Sequence, residues 1–112
     1  MIFVDYLGPE ARLPRVRDVV RREVGAALRV PADQVDVRHL LTANPRDEVE
    51  LWIELSSEEQ LYRLGRRIAE QISAGLRSDG NDPDVWVMYR VVPLTHAFLN
   101  GQSRSRGLPT LE

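Results

Sequence analysis

The stretch Asp84-Val-Trp-Val-Met-Tyr-Arg-Val-Val-Pro93, continuing as Leu94-Thr-His-Ala-Phe-Leu-Asn-Gly101, decides the fold. Its first part is β-branched and aromatic, with turn residues before it and a proline after it, and reads as a strand. Val85, Val87, Tyr89 and Val91 form one face. Trp86, Met88, Arg90 and Val92 form the other. Both faces are largely apolar, so the strand is expected to be covered on both sides. Helices can cover one side. A chain of 112 residues has no material for a second full layer, so a neighbouring subunit is expected on the other side.

Working outward, Gly80-Asn81-Asp82-Pro83 turns the chain into this strand. Before it, a helix is expected from about Glu58 to Leu76, with Leu61, Leu64, Ile68, Ile72 and Leu76 as its buried stripe. Ser56 or Ser57 can cap it, and Glu59 or Gln60 completes a capping box. Val49 to Leu55 alternates strictly and predicts a strand, with Glu50, Trp52 and Glu54 opposite the apolar set. A loop through Asn44-Pro45 separates it from another strand, Val35 to Leu41. An earlier helix, about Pro14 to Arg29, carries Leu13, Val16, Val20, Val24, Ala27 and Leu28 on one stripe and ends at Val30-Pro31. Ile2 to Leu7 is the first strand.

The order is strand, helix, strand, strand, helix, strand, and it reads as one unit used twice. Arg21-Arg22 matches Arg66-Arg67, and Leu40-Leu41 with Pro45 echoes Val91-Val92-Pro93. The expectation is an α+β fold of two βαβ units (1–45 and 46–100), with both helices on one face of a four-stranded mixed sheet. Residues 101–112 read as a frayed tail. The helix side takes Val35, Val37, Leu41, Val49, Leu51, Ile53, Leu55, Val85, Val87 and Val91. The open side takes Leu40, Trp52, Trp86, Met88 and Val92 among Asp36, Arg38, Glu50, Glu54 and Arg90. Two tryptophans and a methionine among arginines suit an interface core. An oligomer packed through the open faces is therefore expected; in a monomer the tail would have to cover that face.

Composition removes several classes of chemistry. Basic and acidic residues number 15 and 17, which gives no footprint for nucleic acid. No apolar run approaches a membrane span. The N-terminus meets Asp5 at once and has no basic region, so no signal peptide is expected and the location is cytoplasmic by default. Cysteine is absent, which removes thiolate nucleophiles and thiolate metal sites. Every basic side chain is arginine, so a lysine Schiff base is excluded. The two histidines have no metal-ligand spacing, and the cluster Asp79, Asp82, Asp84 lacks that of a calcium loop. No metal and no cofactor is expected.

Val35-Asp36-Val37-Arg38-His39-Leu40-Leu41-Thr42, after a helix and Val30-Pro31, resembles the second strand of 4-oxalocrotonate tautomerase. Asp84-Val85-Trp86-Val87-Met88-Tyr89 with Pro93 resembles the matching strand of cis-3-chloroacrylic acid dehalogenase, and Ile68-Ala69-Glu70-Gln71-Ile72 its second helix. The chain is thus similar to the tautomerase superfamily over most of residues 1–100. The resemblance implies a homotrimer with inward-facing sheets and a pocket beside the N-terminus at the subunit boundary. There an N-terminal proline moves a proton while arginines hold a substrate carboxylate. The chain departs from this pattern at Ile2, which stands where the proline would be. Bulky isoleucine disfavours methionine removal, so Met1 offers a primary amine instead. The family's helix-start arginines fall near Ser56 and Glu59, its tyrosine on Met88 and its last glutamate near Leu99. Arg38 matches the strand arginine of the 4-oxalocrotonate enzyme.

The candidate catalytic residues are Met1 and His96. Arg38, Arg90, Trp52, Met88 and Asn100 are the candidate substrate-binding residues, with a small-molecule carboxylate as the partner. Against this, Arg38 and Arg90 can simply pair with Glu50 and Glu54, His96 can be an ordinary loop residue, and His39 reads as a core-edge histidine bonded to backbone. Tyr89 reads as structural. The expected activity is keto-enol tautomerisation of a small keto acid. Two alternatives stand beside it: a non-catalytic trimeric binding or assembly protein, which can also pair with a proline-bearing paralogue, and a ferredoxin-like ligand-binding module. Strand order separates the last, because a ferredoxin-like sheet places strand three between strands one and two.

Overall fold

The computed structural model describes residues 1–44, 46–78 and 82–104. Six elements make the main layer: β1 (Ile2–Leu7), α1 (Leu13–Leu28), β2 (Val35–Leu40), β3 (Val49–Leu55), α2 (Glu58–Leu76) and β4 (Val85–Val91). The sheet order is β2-β1-β3-β4. β1 runs parallel to β2, β3 parallel to β4, and β1 antiparallel to β3. Each half is therefore a βαβ unit with its strands side by side, and the halves meet along β1 and β3. Because β1 lies directly against β2, the ferredoxin-like order is excluded.

The strict alternation of β3 determines its place. Val49, Leu51, Ile53 and Leu55 are all buried, and they pack with Val4, Tyr6, Val35 and Val37 against Val16, Val20, Val24, Ile68 and Ile72 of the helices. Val19, outside the expected stripe of α1, is also fully buried. Part of its contact is with the second helix, where a Cβ on Gly75 would lie 2.8 Å from Val19 Cγ1. α1 thus faces the sheet and α2 at once, which widens its apolar stripe. Pro14 occupies its first turn, and Arg29 closes it in the left-handed region at φ 57°. α2 starts as expected: Ser57 Oγ accepts from the Gln60 amide at 3.2 Å, and Gln60 Oε1 accepts from the Ser56 amide at 3.0 Å.

Two expectations are corrected. Leu41 lies beyond the end of β2 and is 85% exposed, so it is not part of the helix-side core; the strand ends one residue early and leaves it in the loop. Residues 101–103 are not frayed. Phe98–Leu99 (β5) and Gln102–Ser103 (β6) form an antiparallel hairpin, and the Arg104 amide bonds to Ala97 O at 2.8 Å. Asn100 and Gly101 make its turn, both at positive φ (53° and 82°). This is the conformation that an Asn-Gly pair favours in a two-residue hairpin loop. Pro45, Asp79, Gly80 and Asn81 of the turn before β4, and the tail 105–112, with its option of covering the open face, lie outside the described residues.

Candidate functional site

The site is built on the face of the sheet away from the helices. Alternation places Phe3, Asp5 and Leu7 of β1 there, with Asp36, Arg38 and Leu40, then Glu50, Trp52 and Glu54, then Trp86, Met88 and Arg90. The register lines up Arg38, Asp5, Trp52 and Met88 across all four strands. Asp5 is the centre of this row, with a side chain only 6% exposed.

Both candidate arginines converge on it. Arg38 sets Nη2 at 2.6 Å and Nε at 2.7 Å from Asp5 Oδ1. Arg90 reaches over from β4 and places Nη1 2.9 Å from Oδ2. The two arginines therefore share a single carboxylate, a partner that parity with Glu50 and Glu54 does not point to. Asp5 lies between the two arginine strands, and a buried carboxylate left unpaired would be far costlier than an exposed one. Aromatic rings flank the guanidiniums: Arg38 Cζ lies 5.3 Å from the Phe3 ring centroid and Arg90 Cζ 5.0 Å from that of Trp52. Trp52 Nε1 donates to Glu50 at 2.9 Å. The arginine side chains are 38% and 44% exposed, so their remaining N–H groups look outward from the face.

Arg38, Arg90 and Trp52 are thus brought together, and Met88 stands level with Trp52. The other candidates lie apart. Met1 heads β1, four residues before Asp5, about 13 Å along an extended strand. His96 is exposed in a short turn, Leu94–His96, just past β4. The register puts the end of β4 at the same end of the sheet as Met1, with β3 between the two strands. Asn100 is exposed in the β5-β6 turn. His39 faces the helix side, stacks on Tyr6 at 5.2 Å between centroids and holds Nε2 2.9 Å from Gly8 O. Tyr89 donates its hydroxyl to Gly65 O, and burial pushes its pKa up to about 12.

Asp5 is the residue that the sequence reading does not single out. Its only signal is a lone acid within the apolar run Ile-Phe-Val-Asp-Tyr-Leu. No group of three or more potential metal ligands occurs among the described residues, and no described helix is long and apolar enough to cross a membrane. A shallow groove of about 730 Å³ follows the outer edge of β4 beside Ala69, Ser73, Arg77 and Trp86, and a smaller one of about 170 Å³ lies near Leu7, Asn44 and Glu48. Neither is lined by Asp5, Arg38 or Arg90.

No family profile matches the chain, and no curated protein matches it in sequence. Its architecture does match solved structures. A native fused 4-OT superposes with a TM-score of 0.60 at 15% identity, covering 90% of this chain and 94% of the other. A macrophage migration inhibitory factor-like protein from Entamoeba histolytica gives 0.63 at 5% identity, covering 91% and 96%. A domain of unknown function (DUF1904) from Sebaldella termitidis gives 0.64 at 13% identity, covering 90% and 97%. At these identities the likeness speaks for the fold, which is the one shared by the fused 4-OT and macrophage migration inhibitory factor-like structures.

Proposed function

We propose that the chain works in self-associated form as a tautomerase-type protein, holding a small keto acid by its carboxylate at Arg38 and Arg90 and moving a proton on it. The observation that carries this reading is the convergence of two guanidiniums on the two oxygens of one carboxylate. Asp5 fixes both side chains, so little rotamer freedom is lost when a further carboxylate meets their outward N–H groups. Proton transfer falls to the Met1 amine at the head of β1, with His96 as the other candidate base. An amine can take the hydroxyl proton of the enol and deliver a proton to the neighbouring carbon, which leaves the keto form. The 13 Å or so from Met1 to Asp5 exceeds the reach of a small keto acid. In this reading the arginines of one copy and the Met1 of a neighbour share each substrate. Two further fused 4-OT structures of this fold are described as asymmetric trimers, which supports a trimer here.

The test is ketonisation of the enol form of phenylpyruvate, a monocarboxylate, with the dicarboxylate 2-hydroxymuconate run beside it for comparison and intact mass read on the same sample. Turnover above buffer with Met1 retained, and a loss of about tenfold or more in Arg38→Ala, is the expected outcome. A folded, associated protein with no turnover would sink the catalytic reading. Ile2, standing where the family has proline, favours a second reading: a carboxylate-binding assembly protein without turnover. Binding without ketonisation is its signature.

A further inference from the structure

We infer that Asp5 is the specificity-determining residue of this site: by sharing one buried negative charge between Arg38 and Arg90, it leaves the cluster with a single net positive charge and selects monocarboxylates over dicarboxylates. This rests on the carboxylate-binding reading above and adds to it the charge class of the ligand.

Two bare guanidiniums would offer two charges and two forks, a match for a dianion. Asp5 removes one of each. Its Oδ1 takes the fork of Arg38 and its Oδ2 takes Nη1 of Arg90. With a side chain only 6% exposed in the middle of β1, it cannot swing away to make room for a second ligand carboxylate. The rest of the face points the same way. Asp36 lies two residues from Arg38 on β2, and Glu50 and Glu54 bracket Trp52 on β3, all on this side of the sheet. A ligand anchored at the arginines runs its remaining atoms over the Phe3 and Trp52 rings and toward these carboxylates. An apolar remainder is accommodated there, whereas a second carboxylate meets like charge. If Asp5 served only to stabilise the sheet, replacing it would change stability and leave the mono-to-dicarboxylate ratio alone.

The experiment is calorimetric titration of the full chain with 2-oxopentanoate and 2-oxopentanedioate, five-carbon keto acids that differ by one charge, near neutral pH and at fixed ionic strength. The wild type is expected to favour the monocarboxylate. Asp5→Asn should move the ratio toward the dicarboxylate by about tenfold or more, since the altered charge lies within contact distance of the ligand. Arg90→Gln, which leaves the Asp5–Arg38 pair neutral, should weaken both ligands. A wild type that prefers the dicarboxylate overturns the inference, as does an unchanged ratio in folded Asp5→Asn. If Asp5→Asn does not fold, undiminished binding in Arg90→Gln overturns it instead. Failure of the wild type to bind either keto acid defeats the carboxylate-binding reading itself, whereas binding with the wrong charge dependence defeats only the role of Asp5.

Discussion

Tyr89 shows how one polar group is held in this core. Its ring packs on α2 at Gly65, where a Cβ would lie 3.4 Å from the ring, and its hydroxyl donates to the Gly65 carbonyl. Burial raises its pKa from 10.0 to about 12, with a backbone hydrogen bond offsetting part of the shift. The folded state therefore holds this proton more tightly than the unfolded chain. The resulting stabilisation is complete below pH 10 and is lost as the pH rises through 12. Tyr6, whose hydroxyl donates to Pro9 O at 2.7 Å, is shifted in the same direction, mainly by burial and partly relieved by Arg12. Urea midpoints should fall across this window. Tyr89→Phe should flatten most of the fall and cost about 1 kcal/mol at neutral pH; a flat wild-type profile would contradict the assignment. The structural role of Tyr89 was legible, because its parity in β4 puts it among Val85, Val87 and Val91. Asp5 was not. Arg38 and Arg90 share a face with Glu50 and Glu54, and parity alone makes those acids the natural partners. Only the strand order β2-β1-β3 inserts Asp5 between the arginines, and strand order is a long-range fact that no local pattern carries.

At the level of elements, the helices and main strands could be read because each carries its own period and its own stop signals. α2 is the clearest case. Its stripe has helical spacing, Ser57 caps it, and Gln60 reaches back to the Ser56 amide. Ser57→Ala should cost about 1 kcal/mol in a denaturant titration. Ser56→Ala should cost less, since the residue 56 amide keeps its bond to Gln60. Equal losses would mean that the hydroxyls act through something other than the helix end. The β5-β6 hairpin went unread for the opposite reason: strands of two residues have no period to detect, and Asn100-Gly101 was the sole cue. Such a hairpin makes few contacts of its own. Phe98 and Leu99 stay 66% and 51% exposed, and a lone two-stranded ribbon is at best marginally stable in water.

For the whole molecule, these exposures belong to one problem. The open face displays Leu40 and Trp86, each more than a third exposed, beside the half-buried Trp52 and Met88, and the segment after β4 adds the exposed Leu94, Phe98 and Leu99. One βαβ pair has a single helix layer, and that layer is already spent on the opposite face. Apolar area of this kind is removed from water by association. The four acids of the open face (Asp5, Asp36, Glu50 and Glu54) outnumber its two arginines, so copies packed through this side must keep those carboxylates solvated or paired. An assembly around a wet axis, with apolar contacts at the margins, meets both demands; a dry face-to-face dimer does not. Light scattering should give a mass three times the 12.8 kDa of the chain. Trp86→Glu adds a carboxylate to an already acidic face at a margin where apolar contact is required, and should shift the protein toward monomer at micromolar concentration. If the Met1 of one copy serves the arginine pair of another, as proposed above, the same variant should lose ketonisation. A monomeric wild type that nevertheless turns over keto acid would break the link between association and activity, and would place the base within the chain that holds the arginines.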